Sequence, residues 1–261
     1  MRRLALTSWS VHPLLQPEHP GNDAALSLTD LPARMRDAGI GTLEICHFHF
    51  PSTEPAYLGE LRAAIDDAGV ELFSILIDAG DISQADDRQH ASDMRMIEGW
   101  IDVAATLGTG AARVVAGDAP PDDEAALERA IASLARLAAY GRGRNVRVLT
   151  ENFRALASTA ANCNRILDEL GGEIGLCADI GNFPSASRVA EFSEVVPRAE
   201  SIHAKANYGA GGELDAGQLR ECLDASLAAR FDGPYTLVFD RPEDRWTGIA
   251  RLKQVVAAYV Q

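Results

Sequence analysis

Several features that would steer a functional reading are missing from this chain. Its four cysteines, Cys46, Cys163, Cys177 and Cys222, are scattered and form no C-x-x-C pair. A disulfide framework is therefore not expected, and a reducing cytoplasm is the expected compartment. No stretch approaches the ~18 consecutive apolar residues of a membrane span, so a membrane is not an expected partner. The run after Met1-Arg2-Arg3 is broken by Thr7, Ser8 and Ser10 and does not make a signal peptide. No Lys/Arg-rich run relieves a formal net charge of −14, from 38 acidic against 24 basic residues. That field repels a phosphate backbone, and nucleic acid is not an expected partner either. No Gly-x-Gly-x-x-Gly follows the first strand-like run, which argues against a dinucleotide-binding open sheet. No linker or low-complexity break divides residues 1–261, and one domain is expected.

What the chain does contain is alternation. Strand-like runs are read at Leu4–Ser8, Gly41–Cys46, Val70–Ile77, Ala112–Ala116, Val146–Glu151, Gly175–Asp179, Ser201–Lys205 and Tyr235–Asp240. Helix-period segments separate them, among them Leu31–Ala38, Tyr57–Ala68, Met94–Leu107, Glu124–Tyr140, Ala160–Leu170, Gln218–Ala229 and Thr247–Tyr259. Asp87–Leu107 reads as longer than its helix needs, leaving room for a flap, and the glycines around 209–212 read as a loop at a rim. Strict β–α alternation with short connections favours a parallel sheet covered by helices. Eight repeats in 261 residues favour closure: the expected class is α/β, a single-domain (β/α)8 barrel.

Three successive strand ends carry side chains that can bind metal. Val148-Leu149-Thr150-Glu151-Asn152 ends on a carboxylate, Leu176-Cys177-Ala178-Asp179 on another, and Ser201-Ile202-His203-Ala204-Lys205 offers an imidazole. Oxygen plus imidazole suits a divalent cation. Side chains alternate along a strand, so parity tests the idea. If Val148, Ala178 and Ala204 face the helices, then Glu151, Asp179, His203 and Lys205 face the interior, as does Asp240 on the eighth strand. Active sites of such barrels lie at the carboxyl ends of the strands. Two buried carboxylates without a cation would be costly or would force one to hold a proton.

The segments Leu43-Glu44-Ile45, Glu151-Asn152, Asp179-Ile180-Gly181-Asn182, His203-Ala204-Lys205 and Pro242-Glu243-Asp244 resemble those of the xylose isomerase-like TIM barrels. That superfamily includes sugar phosphate isomerases and epimerases, ketose 3-epimerases, hydroxypyruvate isomerase, inosose dehydratase and endonuclease IV-type enzymes. The resemblance spans essentially the whole chain. It implies a divalent ion (Mn²⁺, Mg²⁺, Co²⁺ or Zn²⁺) held by Glu151, Asp179, His203 and a fourth carboxylate on strand eight. The chain departs from the family at that fourth place. Val238 occupies the usual ligand position, and Asp240, with the same parity, lies two residues on, roughly 6.6 Å along the strand. Asn182 stands where the family often has His.

The resemblance also implies sugar chemistry: a small carbohydrate substrate, a proton removed next to its carbonyl, and charge stabilised as an enediolate. Glu151 and Asp240 are the expected flanking carboxylates. Lys205 is expected to neutralise an oxyanion, with desolvation lowering its pKa toward proton transfer. Dehydration of the inosose or dehydroshikimate type and non-catalytic carbohydrate binding are the alternatives. Glu44, His47, His49, Trp9, Asn182 and Lys205 are the expected substrate contacts, and Arg113 is read as a structural ion pair. Barrels of this family often dimerise, which makes a homodimer an expectation.

Overall fold

Period-2 apolar runs and longer amphipathic stretches fold here into one closed cylinder with a helical jacket. The computed structural model describes residues 1–15, 26–209 and 211–260. Strands β1 (Arg3–Thr7), β2 (Thr42–Cys46), β3 (Glu71–Ile77), β4 (Ala111–Val114), β5 (Arg147–Glu151), β6 (Gly175–Asp179) and β7 (Ala199–Lys205) run parallel around the barrel. After β7 the chain makes a small antiparallel hairpin, β8 (Asn207–Tyr208) with β9 (Leu214–Asp215). The last barrel strand, β10 (Pro234–Val238), pairs with β7 on one side and β1 on the other, and β1 pairs with β2, which closes the ring.

Between the strands lie the short α1 (His12–Leu15), then α2 (Leu31–Asp37), α3 (Pro55–Ala68), α4 (Asp87–Thr106), α5 (Glu124–Arg142), α6 (Ala160–Glu169), α7 (Arg188–Val195), α8 (Gly217–Ala228) and α9 (Arg245–Val256). Their ends are written in the sequence. Asp86 caps α4 by accepting from the backbone N–H of Arg88 and Gln89, Asp123 caps α5 through Ala126, and Thr159 caps α6 through Asn162. Gly69 ends α3 in the left-handed region at φ 63°, where a side chain would be strained. On α5, Leu127, Ala130, Leu134, Leu137 and Gly141 recur at helical spacing and form the buried face.

Most apolar burial lies between sheet and helices. Leu43, Ile45, Ile75, Ile77, Val148, Leu176, Ala178, Ile202, Ala204 and Leu237 belong to that layer. Much of the opposite parity is polar and buried: Thr42 and Glu44, Ser74, Arg113, Glu151, Asp179, Ser201 and His203, Thr236. Turning polar strand residues inward is affordable only if they find partners inside, and those partners make the site described below.

The structure differs from the sequence reading in three places. The 87–107 segment holds no flap, because it is one continuous helix of 20 residues. The pattern reading named no helix between β6 and β7, whereas α7 fills that gap with eight residues, too few for a clear period. The eighth barrel strand ends at Val238, so Asp240 stands beyond the pleat rather than on it. The 209–212 stretch joins the two strands of the β8–β9 hairpin; Ala210 lies outside the described residues. Among the described residues no helix is long and apolar enough to cross a membrane.

Candidate active site

A cavity of about 230 Å³ opens at the carboxyl end of the barrel. Glu151, Asp179, His203, Lys205 and Asp240 all line it, together with Asn182, Val238 and Trp9. The reason is register. Glu151 is level with Cys177 across β5–β6, Asp179 with His203 across β6–β7, and Lys205 with Val238 across β7–β10. Inward residues at matched heights therefore form one floor.

His203 is the centre of that floor. Its Nδ1 lies 3.7 Å from Glu151 Oε1 and 3.6 Å from Asp179 Oδ2, while its Nε2 lies 2.9 Å from Glu44 Oε2. Burial alone would lower the imidazole pKa. The acidic groups Cys177, Glu44, Glu151 and Asp179 outweigh it and hold the ring well above its usual 6.5. Asp179 is oriented by its own backbone: Oδ1 accepts from the N–H of Gly181 and Asn182, leaving Oδ2 toward His203. Asn152 clasps the same strand, donating to the Asp179 carbonyl at 2.9 Å and accepting from the Asp179 N–H at 2.7 Å. Gly181 is required there by close approach, since a Cβ would lie 2.5–2.8 Å from the Lys205 stem.

Cations inside the barrel are already engaged. Arg113, nearly fully buried, pairs with Asp78 and lies 2.8 Å from Glu151 Oε2 through its Nε. That second contact is off the hydrogen-bonding direction, so Glu151 Oε2 has no hydrogen-bond partner; nor has Glu44 Oε1. Lys205 Nζ holds Asp240 Oδ2 at 2.8 Å. Burial opposes the charge on Lys205, but Asp179, Asp240 and Glu151 raise its pKa overall. The expected depression of that pKa is thus corrected: Lys205 is an ammonium ion, a proton donor rather than a base.

A divalent ion places a geometric limit on this donor set. Two donors bound at about 2.1 Å to one ion are at most about 4.2 Å apart, and both His203 Nδ1 separations satisfy that limit. Glu44 Oε1, buried without a hydrogen-bond partner, also suits a further positive charge. Glu151 with His203, and Asp179 with His203, therefore each fit such an ion, although the three do not all lie within 4.8 Å of one another. Asp240 does not join them, because it sits past the strand end and is held by Lys205. Val238 gives the cavity an apolar side chain where a ligand was expected. A further trio, Glu151, Cys177 and His203, has ligand atoms all within 4.8 Å of one another.

Three expected substrate contacts do not face the cavity. Glu44 is inside the barrel but serves His203. His47 accepts from the Asp78 N–H and packs on Trp100. His49 sits between Ser8 Oγ and His12 Nδ1, 2.8 Å from each, and burial followed by His12 lowers its pKa to about 3. The cause is local: β2 gives way to a 3-10 turn over His47–His49, so strand parity no longer applies. That turn instead brings Phe48 to the cavity, edge-on to Trp9, which is stacked on His12. The pattern reading also passed over Asp78, Phe153 and Arg154, which line the same space. Arg113 had a usable signal, inward parity opposite Ala112 and Val114. Arg154 had none: it adopts φ 61° in the loop after β5 and there reaches Asp118 and the Asp78 carbonyl.

The family pattern described as Xylose isomerase-like TIM barrel matches residues 32–253. The chain belongs to that family. No curated protein sequence matches it. Among solved structures it is similar to L-ribulose 3-epimerase, at 18% identity and TM-score 0.79, covering 100% of this chain and 95% of the other. It is similar to the probable 3-DHS dehydratase AsbF from Bacillus anthracis, at 15% identity and TM-score 0.75, covering 98% of each. A third is a Xylose isomerase-like TIM barrel protein from Mycobacterium smegmatis in complex with magnesium, at 15% identity and TM-score 0.71, covering 99% of this chain and 98% of that one. At these identities the likeness shows the fold, and neighbours of this fold include both epimerases and a dehydratase.

Proposed function

We propose that this xylose isomerase-like barrel is a divalent-metal-dependent isomerase or epimerase of a small sugar or sugar phosphate. The observation that carries the reading is the convergence of Glu151, Asp179 and His203 on one wall, with the Lys205–Asp240 pair lining the same cavity. When bound, the ion supplies polarisation of a substrate carbonyl and stabilises the enediolate that follows. The chain's own residues do the rest. Asp240 is a carboxylate acceptor for the proton next to the carbonyl, with Glu151 as its counterpart on the other side. Lys205, kept cationic, stands beside the developing oxyanion. Asn182 donates to Glu151 Oε1 at 3.1 Å and fixes its direction. Trp9 and Phe48 offer an apolar wall to a sugar ring.

A dehydratase is the second reading, favoured specifically by the Lys205 ammonium, which can protonate a departing hydroxyl. One experiment separates them. Metal-reconstituted protein is incubated with ketoses and 3-keto acids in D2O and the products are read by mass. Deuterium entry next to the carbonyl without loss of water supports the isomerase, and loss of water from product replaces it with the lyase. No exchange with any substrate, with or without metal, favours a carbohydrate-binding barrel. Glu151→Gln and Lys205→Met are expected to lower turnover by about 10²–10⁴-fold.

A further inference from the structure

Below the three donors at the mouth lies a group that this chemistry does not use. Cys177 faces the barrel interior from β6, two residues before Asp179, and is fully buried. Its register partner on β5 is Glu151 and on β7 is Ser201, two residues before His203 on the same face. Among the described residues, Glu151, Cys177 and His203 form the one group of three His, Cys, Asp or Glu side chains whose ligand atoms all lie within 4.8 Å of one another. The carboxylates around this spot are incompletely hydrogen-bonded, even with Arg113 Nε 2.8 Å from Glu151 Oε2. Glu151 Oε2 and Glu44 Oε1 are buried without hydrogen-bond partners. A neutral thiol is too weak a donor to satisfy either.

We propose that Cys177 Sγ binds the divalent ion as a thiolate together with Glu151 and His203 Nδ1, and that the site therefore selects a thiophilic ion, Zn²⁺ or Co²⁺, over Mg²⁺ or Mn²⁺. The inference rests on the reading of Glu151 and His203 as ligands and adds the sulfur and the class of metal. A sulfur, an imidazole nitrogen and a carboxylate oxygen are a borderline-soft set, which oxygen-preferring Mg²⁺ and Mn²⁺ do not favour. Donors around a four-coordinate zinc with bonds of about 2.0–2.3 Å sit roughly 3.4–3.8 Å apart, so small side-chain rotations close the trio. Burial holds the free thiol up at about 11. As the Sγ–metal bond forms, the S–H proton leaves to solvent, joined by the proton on His203 Nδ1 wherever the ring is protonated. Three protein donors leave an open position on the mouth side, beside Asp179, where a substrate oxygen enters. The arrangement also accounts for Val238: with Cys177 on β6 completing the three protein donors, β10 contributes no ligand to the cavity floor.

The test uses the chelator-stripped full chain titrated with Co²⁺ in thiol-free buffer. The expected result is a near-ultraviolet thiolate-to-cobalt charge-transfer band that saturates at one equivalent. Zn²⁺ abolishes it by displacement, and a large excess of Mg²⁺ does not. The band is expected to vanish in Cys177→Ser and Cys177→Ala, with cobalt affinity down about tenfold or more, and to persist in Asp179→Asn. Circular dichroism melts confirm that each variant is folded, and because Cys46 also lines the cavity the band is assigned to Cys177 by its loss in a folded variant. Cobalt bound with visible d–d absorption but no thiolate band overturns the sulfur ligand and leaves the oxygen–imidazole site standing. A band that survives both Cys177 variants overturns it equally. No cobalt binding at all overturns this inference and the metal-dependent reading together.

Discussion

His203 Nε2 and Glu44 Oε2 stand 2.9 Å apart inside the barrel although 159 positions separate them in the chain. When this contact is made by a neutral ring, the proton sits on Nε2 and the lone pair of Nδ1 faces Glu151 and Asp179. The carboxylate thus sets which nitrogen is free for a cation. Glu44→Gln retains the shape and removes the charge. Divalent-ion affinity is expected to fall about 10–100-fold, read by titration calorimetry on stripped protein. Unchanged affinity would falsify the orienting role.

Arg113 supplies the fixed positive charge behind Glu151 and Asp78. Arg113→Met leaves both carboxylates without it, one of them almost fully buried. Removing one partner of a buried pair costs about 3–5 kcal/mol. Urea unfolding of the metal-free variant is expected to show a loss of that size. Saturating divalent ion is expected to recover part of it, because the ion supplies charge to the same Glu151. A loss below about 1 kcal/mol, the scale of a surface pair, would mean that the barrel interior is better solvated than its burial implies.

His203 makes the metal-free protein pH-sensitive. Its pKa is raised in the folded state, so the proton is held more tightly there than in the unfolded chain. The resulting stability is complete below the ordinary histidine value of about 6.5 and is lost as pH climbs through the raised one. Denaturation midpoints of stripped protein are expected to fall over that interval. Metal affinity is expected to rise over the same interval, because ion and proton compete for Nδ1. Midpoints that hold level or rise with pH would show that the ring is not protonated in the fold.

Val238 gives a gain-of-binding test. It lines the cavity level with Lys205. Val238→Glu places a carboxylate on the floor that Asp240 cannot reach. One further ligand worth about 1.4 kcal/mol tightens metal binding about tenfold, whereas Val238→Ala is expected to leave it unchanged. Equal affinities for all three proteins would show that the ion, if bound, sits away from β10.

Much of this was legible in the chain. The alternation of Val148, Leu176-Ala178 and Ile202-Ala204 with inward Glu151, Asp179 and His203 follows from the two-residue repeat of a strand, which is a local property. The same rule put Glu44 inside, and it failed at His47 and His49 because the backbone leaves the extended region after Cys46. It also could not place Arg154, whose left-handed backbone turns its side chain back over the β3 end.

The sequence by itself determined the repeating strand–helix order, the helix starts at Glu124 and Ala160, and the acidic and imidazole identity of the strand ends. Those depend on residues within a turn or two of one another. Only the closed cylinder decided that Glu44 serves His203, that Lys205 holds Asp240 at 2.8 Å and stays charged, and that Cys177 lies level with Glu151. Each of these is set by register between strands and by the low dielectric of a shared interior. Neither has any expression in the chain until distant segments are brought side by side.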